Sequence, residues 1–179
     1  IHTIFNSCLT RTGRLSSSKP NLQNIPIRSD YSKLVRKAFI PEDNSILMSS
    51  DYSQIELRVF AHMADAKNLQ EAFIEDKDIH AKTASDIFNV PIEQVDKKMR
   101  RIAKTVNFGI LYGISSFGLS EDLKIDVASA KEFLNNYLNT YQGIKEYMEK
   151  EKEEAYQKGY VTTIMNRRRK IDELKSSNY

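Results

Sequence analysis

The sequence predicts an α+β protein, mostly helical, in which strand-rich ends enclose a helical block from about 54 to 158. Three observations predict this. Apolar residues inside the block recur at the three- and four-residue spacing of helices. β-leaning runs fall outside it, at 1–10, 45–51 and 160–171. Residues that start or stop helices, such as Asp78, Asp126 and Gly159, mark several boundaries.

Taken in order, Ile1 to Thr10 predicts a strand, and Thr12 to Pro26, rich in Ser, Asn and Pro, an irregular loop. Ser32 to Phe39 predicts a short helix stopped before Pro41. The apolar centre of Ser45 to Asp51 predicts a buried strand. A helix follows from Gln54 to Ala64, with Ile55, Val59, Phe60 and Met63 on one side. Leu69 to Ile74 is a short helix. Asp78 caps another, ending at Phe88, and Pro91 suits the first turn of a further one. Lys97 to Gly113 is the central helix. Ser120 is expected to cap a short helix ending near Lys124, and Asp126 a long one that Gly143 kinks or breaks. Tyr160 to Ile164 and Arg168 to Ile171 form a hairpin around Met165, Asn166 and Arg167. There is no internal repeat and no low-complexity stretch.

The 179 residues suffice for one domain or part of a larger protein. The chain opens in a strand-like segment and stops at Ser-Ser-Asn-Tyr without an ending signal, as expected of a piece of a longer polypeptide. A net charge of +3 points only weakly to nucleic acid. The clustering of Lys97, Lys98, Arg100, Arg101 and Lys104, and of Arg167 to Lys170, says more, because such groups neutralise phosphates. A charge run also serves as a plain solvated face. The single cysteine, Cys8, excludes an intramolecular disulfide and fits a reducing, cytoplasmic setting, with the thiol expected to be a packing residue. No apolar run approaches the about 20 residues that span a bilayer, so no membrane partner is expected.

The central helix carries Arg100, Lys104, Phe108 and Tyr112 at every fourth position. Each step overshoots a full circle by about 40°, so the four share one stripe, about 18 Å long. Two cations precede two rings, an order that suits a nucleoside triphosphate lying along the helix. The competing account is an amphipathic helix with solvated cations and core rings. Asp51 stands where a strand hands over to a helix, a place that suits either a hard-cation ligand or a helix cap. Glu56 completes a capping box with Ser53 or, alternatively, lines a nucleotide pocket near the sugar. There is no Gly-x-x-x-x-Gly-Lys-Ser/Thr loop and no Cys/His cluster, and His2, His62 and His80 lack metal-ligand spacing.

DYSQIELR at 51–58 resembles motif A of the family A DNA polymerases, and RRIAKTVNFGILYG at 100–113 resembles their motif B. TGRLSS at 12–17, PNLQNIP at 20–26, KDIH at 77–80 and KSSN at 175–178 match further segments in the family's order. The resemblance implies a helical fingers subdomain inserted into part of an antiparallel palm sheet. Palm would be 1–57 and 159–179, and fingers 58–158. It implies a DNA-directed DNA polymerase acting in replication and repair, with primer-template DNA and deoxynucleoside triphosphates as partners.

Site roles follow from the same resemblance. Asp51 would ligate two Mg²⁺ ions, assisted by the Tyr52 carbonyl. Arg100, Lys104 and His80 would hold the triphosphate, with Lys104 also the general acid for departing pyrophosphate. Phe108 would pack on sugar and base. Tyr112 would guard the template-side pocket and pair with Glu56, which would block a ribose 2′-OH. Gln54 would shape the minor-groove side, and Arg14 would contact the primer terminus there. The family's second catalytic carboxylate lies in a later His-Asp-Glu segment, beyond this chain, so the isolated piece is expected to be inactive. Two alternatives stand beside this. One is a non-catalytic nucleotide- or DNA-binding module. The other is a relative of single-subunit RNA polymerases, against which Glu56 argues.

Overall fold

A computed structural model describes residues 1–26 and 30–175. They fall into two compact units, Ile1–Asp51 and Tyr52–Tyr179. Most of the KSSN segment lies outside the described residues.

The first unit holds a two-stranded antiparallel sheet, β1 (Ile4–Asn6) with β2 (Ser16–Ser18), paired Ile4 to Ser18. The predicted loop at 12–26 therefore contains a strand and a 3₁₀ turn, Leu22–Asn24. Serine hydroxyls stand in for apolar patterning there. Thr3 Oγ1 lies 2.6 Å from Ser17 Oγ, which also accepts from the Leu22 N–H at 3.0 Å. Helix α1 spans Asp30–Lys37. The strand expected at 45–51 does not form. Ile46, Leu47 and Met48 are 87, 65 and 87% exposed. An apolar run becomes a buried strand only when another strand takes its N–H and C=O groups, and no described strand pairs with this one. Cys8, expected to pack, is exposed.

The second unit is helical: α2 (Ile55–Met63), α3 (Lys67–Ile74), α4 (Ile79–Phe88), α5 (Lys97–Leu111), α6 (Ser116–Leu123), α7 (Val127–Thr140) and α8 (Gln142–Lys158). Its hairpin pairs β3 (Tyr160–Thr162) with β4 (Arg168–Lys170), Tyr160 opposite Lys170. Asn166 takes the left-handed conformation, φ +61°, that the turn requires. Leu57, Leu69, Ile79, Val106, Leu119, Tyr137 and Ile144 are at most 1% exposed and form the centre of the core. Each such side chain contributes about 2–3 kcal/mol by leaving water.

Sequence signals account for most helix ends here. Asp78 accepts from the His80 and Ala81 N–H groups, Asp96 from Met99, and Asp126 from Ser129. At the end of α5 the chain reverses through Gly113 at φ +73°. Gly113 N–H donates to Ile110 and Ile114 N–H to Gly109, the paired bonds of a Schellman stop.

Three local expectations are corrected. Ser115, not Ser120, caps α6; Ser120 is buried inside the helix and donates to the Phe117 carbonyl. Pro91 leads only into a 3₁₀ turn, Ile92–Gln94, before Asp96 starts α5 afresh. The break after α7 falls at Tyr141, and Gly143 is needed for closeness. A Cβ there would sit 2.6 Å from the Ala64 carbonyl oxygen.

Candidate functional site

α5 is two-faced. Ile102, Ala103, Val106, Asn107 and Ile110 are buried against the other helices. Arg100, Lys104 and Tyr112 are exposed, and Phe108 is half-buried. The rings thus do not fill the core, as the plain amphipathic account required. The stripe of two cations followed by two rings is a surface.

Around its cationic end the stripe is organised by α4. Arg100 Nε donates to Asp78 Oδ2 at 2.6 Å, while the other oxygen of Asp78 caps α4. Burial alone would raise the Asp78 pKa, but the Arg100 guanidinium and the N–H groups of Ala81 and His80 hold it below the ordinary carboxylate value. His80 follows in the first turn of α4, only 3% exposed, its ring centroid 6.0 Å from that of Phe108. Burial, then Arg100, push its pKa below the usual histidine value; Asp78 opposes this and Lys104 adds to it.

At the aromatic end the Tyr112 hydroxyl donates to Glu56 Oε2. This overturns the capping-box account of Glu56. Ser53 does not cap α2. The cap position belongs to Gln54, which makes no side-chain cap bond and holds φ +53°. The backbone instead turns on Arg58, whose Nε donates to the Ser53 carbonyl at 2.9 Å. A left-handed non-glycine residue stores strain and clusters at functional places. Beside the Glu56–Tyr112 bond lies an open groove of about 360 Å³, lined by Ile55, Val59, Phe60, Met63 and Leu111. The side of α2 that carries Ile55, Val59, Phe60 and Met63 lines this groove, and Leu57 and Ala61 are the residues fully buried.

In the first unit Asp51 is exposed, and so is Arg14, whose carbonyl accepts from Thr10 Oγ1 at 2.5 Å. Tyr52, first residue of the second unit, is 79% exposed. Among the described residues no group of three or more His, Cys, Asp or Glu could hold a metal ion. The described donors thus do not by themselves fit the expected Mg²⁺ pair.

Sequence reasoning missed Asn107 and Thr83, both fully buried. The Asn107 amide nitrogen lies 3.2 Å from His80 Nδ1 and 3.1 Å from Thr83 Oγ1. The available signal was an asparagine on the apolar face of α5, where only a partnered polar group is tolerated. Asp78 was recognised as a cap but not as the partner of Arg100.

The family model for DNA polymerase family A matches residues 1–179, so this chain belongs to that family. DNA polymerase I of Bacillus subtilis is 55% identical over 180 residues, covering 100% of this chain and 20% of its own length. The thermostable DNA polymerase I of Thermus aquaticus is 48% identical, covering 98% and 21%. Among solved structures, the POL domain of Pol1 from M. smegmatis, in complex with DNA primer-template and dNTP, superimposes with a TM-score of 0.90 at 40% identity. That match covers 99% of this chain and 32% of the other. The chain spans about a fifth of the length of the curated relatives it matches.

Proposed function

We propose that this chain is the nucleotide-selecting part of a DNA-directed DNA polymerase that transfers deoxynucleotides to a primer 3′-OH as a template directs, in replication and repair in the cytoplasm. The observation that carries this is the exposed face of α5, with Arg100 and Lys104 ahead of Phe108 and Tyr112. Relatives named as DNA polymerases, and a structural relative bound to primer-template and dNTP, support it. The division into palm (1–57 and 159–179) and fingers (58–158) is part of the same proposal.

Phosphoryl transfer demands positioning and charge neutralisation more than covalent chemistry. Arg100, Lys104 and His80 hold the triphosphate, and Phe108 meets the sugar and base. Lys104 gives a proton to the departing pyrophosphate. Glu56, held by Tyr112, refuses a 2′-OH: an added hydroxyl would meet a carboxylate already engaged. Gln54 and Arg14 face the minor groove, where the acceptors of A·T and T·A pairs are alike and any correct pair passes. Family A polymerases generally use metal ions. In this chain Asp51 and the Tyr52 carbonyl are the proposed contributors to a site whose other donors lie elsewhere.

Primer extension by the full-length protein tests the reading. Lys104→Ala lowers the maximal rate by about 100-fold or more, the usual worth of a general acid. An unchanged rate removes the role. Glu56→Ala admits ribonucleotides more readily. Retained sugar selectivity would remove that role. For the 179 residues alone a second reading applies, a nucleotide- or DNA-binding module without chemistry. The chain's span of about a fifth of its relatives' length favours it. Extension by the isolated chain that vanishes in Asp51→Ala would refute it.

A further inference from the structure

Behind the cationic face, inside the second unit, runs a chain of buried polar side chains. Thr83, Asn107 and His80 are 0, 0 and 3% exposed. At the far end the Tyr141 hydroxyl donates to Asp86 Oδ2 at 2.9 Å, and Lys82 Nζ meets Asp86 Oδ1 at 2.5 Å.

We infer that Asn107 is a positioning residue that holds His80 as the neutral tautomer with its proton on Nε2, because the Asn107 N–H occupies the Nδ1 lone pair. The direction of these bonds follows from the Asn107 amide nitrogen, which carries two hydrogens and only donates. Thr83 Oγ1 accepts one of them at 3.1 Å and gives its own proton to the amide oxygen at 3.3 Å. The second hydrogen of that nitrogen goes to His80 Nδ1, at 3.2 Å.

An accepting Nδ1 carries no proton, so the imidazolium form is excluded while the chain of bonds stands. The surrounding charges act the same way. Burial, together with Arg100 and Lys104 from α5, disfavours a charged ring, and Asp78 at the cap of α4 is the opposing group. From the α7–α8 side the titratable group near Thr83 is Tyr141, whose proton is retained because burial raises its pKa. The consequence rests on the proposed role of His80 as a triphosphate ligand. The ring offers a phosphate oxygen a fixed neutral N–H donor, and the positive charge stays with Arg100 and Lys104.

Nitrogen-15 NMR of the imidazoles decides the matter, with only three histidines to assign. In the unmodified chain at neutral pH the expected result is a bare Nδ1 and a protonated Nε2 at His80, with a titration midpoint below the ordinary histidine value. A proton on Nδ1 overturns the inference. Asn107→Asp keeps the shape but replaces the N–H by a carboxylate oxygen. It is expected to move a proton onto Nδ1 and raise the midpoint. A bare Nδ1 in folded Asn107→Asp also overturns it, and the unmodified chain decides even where that variant fails to fold. Adding a dNTP is a separate arm. An Nε2–H signal that ignores the nucleotide sinks the phosphate role of His80 and leaves the tautomer assignment standing.

Discussion

Leu47 in the first unit is 65% exposed, and Leu69 in the second is 0% exposed. Leu47 sits in the run read as a buried strand, and Leu69 in the segment read as a short helix. Leu69 lies on a helix, which closes its own hydrogen bonds and needs only a packing surface, supplied here by neighbouring helices. Leu47 lies in a run suited to a strand, which needs a second strand before it can be buried. Helical segments of a chain reach their final state on local information, while a strand waits for a partner that periodicity alone does not supply.

The sharpest way to break this comparison is truncation at the two leucines. Leu69→Ala should destabilise the second unit by about 2–5 kcal/mol, the cost of a core cavity, while Leu47→Ala should stay within about 0.5 kcal/mol. Denaturant melts of both variants check this, and equal losses would show that the run at 45–51 is buried after all. Next in size is Gly143→Ala, expected to cost about 1–3 kcal/mol as its methyl presses on the Ala64 carbonyl. A neutral result in the same melts would mean that the α7–α8 junction yields freely.

Smaller effects separate the two helix starts in the second unit. Asp96→Ala should cost about 1 kcal/mol, because its carboxylate accepts from the Met99 N–H at 2.7 Å. Ser53→Ala should cost next to nothing, since Ser53 caps nothing at α2. A loss at Ser53 equal to that at Asp96 would restore the capping box. Smallest of all, Tyr112→Phe should leave stability within a few tenths of a kcal/mol, because its bond to Glu56 is exposed. A large loss on melting would make that pair structural.

Much of the helical unit was legible. Asp78, Asp126 and Gly159 announce their helix ends because a cap is a local contract between a side chain and the next few backbone groups. The fourfold stripe on α5 was legible for the same reason. Serine-paired β2 was not, because its cohesion comes from hydroxyls fourteen residues apart in the chain, as between Thr3 and Ser17. Nor was the failure of the capping box at Ser53. The pattern permits it, and a tyrosine 56 residues away takes the glutamate instead.

By itself the sequence determined most of the helices, the caps at Asp78 and Asp126 and the fourfold stripe on α5, since each depends on residues within a turn or two. Tertiary structure alone decided what stands behind that face. Arg100 donates to Asp78 and Asn107 to His80 across 22 and 27 residues of chain, so only the packing of α4 on α5 brings them together. Burial then gives those contacts their strength, because a polar group removed from water must take whatever partner the neighbouring helix presents.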